Sequence, residues 1–239
     1  MKKAFRKNIF RTIKKSMGRY MAIFAIIALG VGFFTGLKSS KPAMIKTGQE
    51  YVREQKLYDY RLISTWGFND EEISNIGELE GIQTAEGAVS EDFIYVNEAG
   101  EESCLKALSI TEQVNQLTIT AGRMPERADE CVLDVSRYNE DMIGKKITIS
   151  SENSEETKDS FAYDTYTVTG LVNSPLYMNQ ERGTTTIGKG KIDAFVFIPK
   201  EGFSFDYYEE LYICGDIKSP AFTEAYQEKI KSSSDAIEN

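Results

Sequence analysis

The sequence contains no histidine, and this absence excludes several kinds of active site. Without histidine there is no Ser-His-Asp triad, no Cys-His couple and no metal site with imidazole ligands. The three cysteines, Cys104, Cys131 and Cys214, form no Cys-x-x-Cys pair and can make at most one internal disulfide. We therefore expect no catalytic residue, no metal-binding or cofactor-binding residue, and no cofactor.

Two patterns come close to known functional motifs without meeting them. Residues 183–190 (GTTTIGKG) match the phosphate-binding loop GxxxxGK[ST] except at Gly190, where Ser or Thr should hold magnesium. A strand-like segment follows this stretch instead of a helix, so we predict a glycine-rich surface loop. The glycines of residues 30–36 are spaced wrongly for a dinucleotide fingerprint and lie in an apolar run.

Other candidate residues leave alternatives open. Adjacent carboxylates such as Glu155 and Glu156 indicate solvated surfaces, because the chain has 37 acidic residues. The alternative is the carboxylate pair of a glycosidase, although sequence neighbours on a strand point to opposite faces. A cluster of tyrosines either lines a ligand cleft or packs a β core: Tyr177, Tyr207, Tyr208 and Tyr212.

The charge is divided unevenly along the chain. Residues 1–50 carry eleven of the 28 Lys and Arg residues but only one of the 37 acidic residues, although the net charge is −9. The acidic body would repel phosphates, so we expect no nucleic-acid partner. A basic head on an acidic body instead indicates orientation in a membrane.

Residues 20–37 (YMAIFAIIALGVGFFTGL) are the one long uncharged run, and they predict a transmembrane helix in the lipid bilayer. Eight basic and no acidic residues precede the run, which places the N-terminus in the cytoplasm and the main domain outside. Residues 1–19 predict a basic amphipathic helix on the inner leaflet, bent near Gly18; the alternative is a disordered basic tail. A cleaved signal peptide is a further alternative, although no clear Ala-x-Ala site follows the run.

Three small residues lie on one stripe of the predicted transmembrane helix. Ala28, Gly32 and Gly36 recur at four-residue spacing, which allows the backbone of another helix to approach closely. We therefore predict helix packing in the membrane at these three positions.

The remaining sequence predicts α+β structure with an antiparallel bias. Residues 38–56 predict a stalk helix, residues 57–218 a domain of short strands with a helix near residues 69–79, and residues 219–239 a polar helix with Pro220 in its first turn. Residues 151–159 predict a charged turn or a disordered loop. The predicted fold class is one N-terminal transmembrane helix followed by a mixed, largely antiparallel extracytoplasmic α+β domain.

Three segments together resemble the FtsX-like permeases, the membrane subunits of MacB-type ABC transporters. They are GRYMAIFAIIALGVGFFTGLKSS behind a basic segment, AGRMPERADECVLD, and KKITISS followed by YTVTGLVNSPLYMNQERGTTTIGKGKIDAFVFIPKEGF. The resemblance implies that residues 57–218 form a MacB-like extracytoplasmic core domain. It also implies a separate cytoplasmic ABC ATPase, a second permease copy or half, and further membrane spans after residues 219–239.

The resemblance implies an ABC transporter permease subunit without enzymatic activity of its own, with ATP hydrolysis on the partner. The resemblance also implies that such a subunit couples this hydrolysis to extracytoplasmic transport or mechanical signalling. Two alternatives remain: a single-span anchored binding or sensor protein that is complete at 239 residues, and an anchored hydrolase. Abundant Lys, Glu and Ile indicate a Gram-positive host.

Overall fold

The computed structural model describes residue 9 and residues 11–97, 99–179 and 181–237. The chain divides into two compact units, one ending at Gln49 and the other beginning at Glu50. Residues 1–8 and 10 of the predicted basic helix lie outside the described residues.

The first long element is helix α1, Met17–Glu54, which contains both the predicted transmembrane run and most of the predicted stalk. By length and composition it is the one helix in the described ranges that is apolar enough to cross a membrane. Its apolar side chains are exposed, including Leu29 at 73% and Phe33 at 71%, as lipid contact requires. Residues 11–15 are also helical, and a turn at Ser16 separates them from α1, close to the bend predicted near Gly18.

A small antiparallel sheet forms part of the second unit. Its central strand β10 pairs on one side with β1 and on the other with β2: β1 Tyr60–Phe68, β2 Ile82–Ala88 and β10 Tyr208–Gly215. Helix α2, Asp70–Gly77, connects β1 to β2. It begins with a capping box, in which Asn69 accepts the Glu72 N–H and Glu72 accepts the Asn69 N–H.

The larger sheet has seven strands: β3 Ser90–Val96, β4 Glu102–Ser109, β5 Thr118–Gly122, β6 Glu130–Asp134, β7 Lys146–Thr148, β8 Thr165–Asn173 and β9 Ala194–Ile198. The order is β3-β4-β9-β6-β8-β5, with β7 also paired to β8. Of the eight strand pairs in the described residues, six are antiparallel, and β4–β9 and β6–β8 are parallel. The predicted largely antiparallel α+β domain is therefore confirmed, with two parallel pairs that the sequence did not indicate.

The core lies against the centre of the larger sheet, where every residue of β6 and β9 is buried. Strands buried on both faces read as continuous apolar runs rather than as alternating patterns. Tyr166, Phe93 and Leu105 are fully buried, and the ring of Phe161 stacks on that of Phe203. This packing fixes the ends of β6, β8 and β9, which hold the candidate site.

Three details of the predicted elements were wrong. The segment predicted as a charged loop contains helix α3, Glu155–Asp159, because the Ser154 hydroxyl accepts the Thr157 N–H and caps it. The last helix, α4, spans Glu224–Ile237 and so begins after Pro220; the Thr223 hydroxyl accepts the Tyr226 N–H at its start. Strand β5 was missed.

Candidate functional site

Two of the three segments that carry the family resemblance, those that contain β6 and β8, meet at one end of the larger sheet. Strands β6 and β8 are parallel, and Asp134 at the end of β6 lies opposite Val172 near the end of β8. The loop after β8 brings in Arg182, and the neighbouring strand β9 brings in Phe195. Residues far apart in the sequence therefore form one polar and aromatic cluster.

The centre of this cluster is a buried ion pair. Arg182 Nε lies 2.6 Å from Asp134 Oδ2, and the two side chains are only 4% and 9% exposed. Arg182 also donates to the Ser136 hydroxyl and to the Asn179 carbonyl. The second carboxylate oxygen of Asp134 accepts the Ser136 N–H at 3.0 Å and its hydroxyl at 2.7 Å. Both charges are therefore neutralised and hydrogen-bonded, as burial of an ion pair requires.

Two rings complete the cluster. The rings of Tyr177 and Phe195 stack with centroids 3.6 Å apart and planes 20° apart. The guanidinium carbon of Arg182 lies 5.2 Å from the Phe195 ring centroid, within the range of a cation–π contact. Tyr177 is thus the one tyrosine of the predicted set that joins this cluster.

A cavity of about 370 Å³ opens beside the ion pair. Besides the cluster itself, it is lined by Tyr51, Val172, Asn173, Ser174, Met178 and Phe197. Because Arg182 and Asp134 neutralise each other, the lining is apolar with a few neutral hydrogen-bonding groups. Within the described ranges, no group of three or more Cys, Asp and Glu residues could hold a metal ion.

The AGRMPERADECVLD segment is closed by a second ion pair. Arg123 makes two hydrogen bonds to the Glu130 carboxylate, at 2.8 and 2.9 Å, and the Glu126 N–H adds a third. The hydrogen bond from Arg123, followed by that from Glu126, lowers the pKa of Glu130 to about 2. This segment is therefore a closed loop that leads into β6 and positions Asp134.

The two sheets are joined by a buried carboxylate on β10. Glu210 accepts two hydrogen bonds from Arg61 of β1, one from Tyr212 and one from Ser90 of β3. Burial raises the pKa of Glu210, but the hydrogen bonds from Arg61 and Tyr212 outweigh it and the net pKa is lowered. Tyr212 therefore belongs to a structural network rather than to a ligand cleft.

Glu91 on β3 is a half-buried carboxyl next to helix α3. The hydroxyls of Ser160 and Thr157 lie 3.3 and 3.5 Å from its oxygens. Burial, the largest cause, raises the pKa of Glu91 to about 7; the Ser160 hydroxyl opposes the shift, and the nearby Glu209 adds to it. Glu91 consequently titrates near neutral pH, unlike an exposed glutamate.

We expect Glu91 to make the folded protein less stable as the pH rises from about 5 to 7. In this window the folded state holds a proton on Glu91 that the unfolded state has lost, so the free energy of unfolding falls with pH. Urea unfolding gives the free energy of unfolding at pH 5 and at pH 8. The difference between these two values should be smaller for Glu91→Gln than for the unchanged chain. Glu130 does not interfere, because its contribution is lost only as the pH falls towards 2. Equal differences in the two proteins would contradict the assignment.

The glycine-rich stretch 183–190 is an exposed loop, as predicted. A single bridge pairs Thr184 with Lys191, and Gly183, Gly188 and Gly190 all have positive φ. Strand β9 follows it instead of the helix whose N-terminus would bind phosphate. The stretch therefore resembles a nucleotide-binding loop in sequence but not in structure.

The remaining predicted residues lie apart from this site. Tyr208 is half-buried, and the Lys200 ammonium lies 4.1 Å from the centroid of its ring. Tyr207 is 48% exposed. Ala28, Gly32 and Gly36 all lie on α1. A methyl group added at Gly32 or Gly36 would meet no atom within 4 Å among the described residues. Asp134 and Arg182 were not identified from the sequence. Two features could have indicated them: Asp134 is an acidic residue that ends an apolar strand, and Arg182 is an arginine that begins a glycine-rich loop.

No protein-family model matches the chain, and no curated protein matches it. Two solved structures are similar: the extracellular domain of the noncanonic ABC-type transporter YknZ from Gram-positive bacteria, and the periplasmic region of MacB from Actinobacillus actinomycetemcomitans. Each is 12% identical, has a TM-score of 0.40 and covers 74% of this chain; the matches cover 86% and 75% of the respective neighbours. At this identity the likeness concerns the fold alone.

Proposed function

We propose that this chain is a permease subunit of an FtsX-like, MacB-type ABC transporter, coupling ATP hydrolysis by a separate cytoplasmic ATPase to work outside the membrane. The sequence resemblance supports the family. The observation that carries the coupling is helix α1, which runs without a break from the apolar segment to Glu54. We propose that displacement of the apolar segment passes along this helix, which contains Pro42, to its C-terminal end.

The end of α1 is held by a clasp within the unit that begins at Glu50. The clasp is formed by residues 55–58 and residues 115–116. The Lys56 carbonyl accepts the Asn115 N–H at 2.9 Å, and the Gln55 carbonyl accepts the Gln116 N–H at 2.8 Å. In return, Asn115 Oδ1 accepts the Tyr58 N–H at 3.0 Å. Val52, one turn before the clasp, is only 5% exposed. Movement of the helix end therefore has to move the loop that carries Asn115.

The loop of the clasp is in turn fixed to the small sheet. The Glu86 carboxylate on β2 accepts three successive backbone N–H groups, those of Glu112, Gln113 and Val114, at 2.8 to 3.1 Å. A path of hydrogen bonds thus leads from the end of α1 to β2, and through β10 to the Glu210 network. We propose that this path transmits the state of the membrane segment to the outer domain.

The proposed partners follow the charge and shape of α1 and the segment before it. The exposed basic residues Arg11, Lys14 and Lys15 face the cytoplasm and lie near the ATPase. Ala28, Gly32 and Gly36 pack in the bilayer against a helix of a second permease copy or half. Residues 57–218 then work on the outer face of the cell membrane of a Gram-positive bacterium.

Removing the Asn115 side chain should loosen the clasp. Asn115→Gly keeps the positive φ of 52° accessible but leaves the Tyr58 N–H without its acceptor, so we expect a loss of about 1–3 kcal/mol in the free energy of unfolding. Hydrogen exchange should speed up at residues 55–58. The matched control is Gln113→Ala at an exposed neighbour in the same loop. Unchanged exchange at residues 55–58 would show that Asn115 does not hold the helix end.

The proposed orientation has a direct test in intact cells. A membrane-impermeant maleimide should label Glu152→Cys, an exposed outer position, and should not label Lys14→Cys until the cells are permeabilised. Cys214 is replaced by serine in both proteins, because it is the half-exposed cysteine, whereas Cys104 and Cys131 are buried. Labelling of Lys14→Cys, but not of Glu152→Cys, in intact cells would show the opposite orientation. The N-terminal segment could then not contact a cytoplasmic ATPase.

A further inference from the structure

Strand β1 carries an unusual irregularity in its pairing with β10. Ile63 lies opposite Glu210 and Phe68 lies opposite Tyr208, so four residues of β1 face the single residue Glu209. Residues 64–67 therefore bulge out of the sheet, and the Ser64 hydroxyl accepts the Trp66 N–H at 3.2 Å within the bulge. Bulges of this kind re-aim side chains at the edge of a sheet.

The bulge presents the only tryptophan of the chain to solvent. Trp66 is 92% exposed, Ile63, the last paired residue before the bulge, is 67% exposed, and Tyr207 is 48% exposed. The bulge is held by Gly67, whose φ is +78° and whose missing side chain leaves room for the Tyr207 ring. We name these residues, Ile63, Trp66 and Tyr207, the Trp66 patch. Exposed aromatic clusters of this kind mark interaction sites.

Three acidic residues lie next to the Trp66 patch along the chain or in the strand register. Asp70 and Glu71 are exposed at the start of α2, directly after β1, and Glu209 is exposed opposite the bulge. Two basic side chains lie near these acids: the Arg61 guanidinium is paired with Glu210, and the Lys200 ammonium lies over the ring of Tyr208. The three carboxylates outnumber this one ammonium, so the rim keeps a net negative charge. The patch is therefore an aromatic surface with a negative rim.

This charge decides between the occupants that an aromatic surface can have. An anionic lipid surface and the same patch of a second copy would both be repelled by Asp70, Glu71 and Glu209. We propose that the Trp66 patch binds a basic polypeptide segment with apolar side chains, supplied by another protein or peptide. Trp66 supplies the apolar contact, and the acidic rim selects for Lys and Arg. This binding does not depend on the proposed coupling to an ATPase.

The single tryptophan allows binding to be observed without a label. The full chain in dodecyl maltoside is titrated with the peptide Ac-Lys-Phe-Lys-Lys-Phe-Lys-NH2, and Trp66 emission is recorded. We expect water-like emission at first and a shift to shorter wavelength on binding, which weakens as salt is added. The matched peptide Ac-Glu-Phe-Glu-Glu-Phe-Glu-NH2 should give no shift. Equal shifts with both peptides would overturn the proposed selectivity.

Variants locate the binding, with fluorescence anisotropy of the labelled basic peptide as the readout. Trp66→Ala should weaken binding by about tenfold or more, as loss of a tryptophan hot spot does. Phe222→Ala, at a side chain that is 55% exposed elsewhere, should leave the affinity unchanged. Glu71→Gln with Glu209→Gln should weaken binding and flatten its salt dependence, whereas Glu140→Gln with Glu152→Gln should do neither.

Three further results would overturn the proposal. The first is equal peptide affinity in Trp66→Ala and Phe222→Ala. The second is concentration-dependent self-association in sedimentation that Trp66→Ala abolishes, since the occupant would then be a second copy. The third is Trp66-dependent binding to phosphatidylglycerol vesicles without peptide, since the occupant would then be a membrane.

Discussion

Asp134→Asn should lower the free energy of unfolding by about 3–5 kcal/mol, because it leaves the Arg182 guanidinium charged and buried without a counter-charge. The Ser136 hydroxyl and the Asn179 carbonyl do not replace the lost carboxylate, since neither carries a charge. Urea unfolding of the full chain in detergent, followed by far-ultraviolet circular dichroism, measures this loss. Trp66 is too exposed to report on folding.

Two companion variants separate burial from charge. Asp129→Asn breaks the surface pair with Arg127, whose side chains are 38% and 64% exposed, and should cost about 0–1 kcal/mol. Asp134→Leu combined with Arg182→Met should recover much of the stability lost in Asp134→Asn, because no charge then remains buried. If Asp134→Asn loses no more than Asp129→Asn, the buried pair does not organise this end of the sheet.

The second large effect is expected from Gly122→Ala, at the end of β5. A methyl group here would overlap the Thr169 carbonyl oxygen and the Gly170 Cα, which are backbone atoms of β8 and cannot rotate away. Gly122 also has φ of +74°, which L-residues with a side chain rarely adopt. We expect about 1–3 kcal/mol from the backbone strain and a further 1–3 kcal/mol or so from the overlap.

Gly144→Ala is the matched control for this prediction. Gly144 has φ of +86°, but an added methyl group would meet no atom within 4 Å, so this change carries only the backbone strain. The difference between the two unfolding free energies measures how closely β5 approaches β8. Equal losses in the two variants would show that β5 moves aside. Glycine at position 122 would then be required only for its positive φ.

Local features of the fold were predictable because they are written in short stretches of sequence. The apolar run inside α1 and the Asn69–Glu72 capping box both depend on residues within a few turns of each other. Strand β5 was missed because its sequence, Thr118–Gly122, is short, and its side chains are mostly exposed. Helix α3 was missed because its five residues are all polar or charged, and only the Ser154 cap marks its start.

The candidate site was not predictable from any single stretch. Asp134 and Arg182 meet only because β6 runs parallel to β8, and no periodicity in either segment indicates a parallel pair. The clasp likewise joins Tyr58 to Asn115, through a contact between distant parts of the chain. The family resemblance identified the segments that matter without showing which of their side chains touch.

Contact with a cytoplasmic ATPase is the most direct test of the proposed function. Lys14→p-benzoylphenylalanine, in the basic segment before α1, is irradiated in living cells, and the cross-linked protein is identified by mass spectrometry. Lys145→p-benzoylphenylalanine, at an exposed position of the unit that begins at Glu50, is the control. We predict that the probe at residue 14, and not the probe at residue 145, cross-links to an ATPase carrying GxxxxGK[ST]. Absence of any such ATPase from the residue-14 product would contradict the permease assignment.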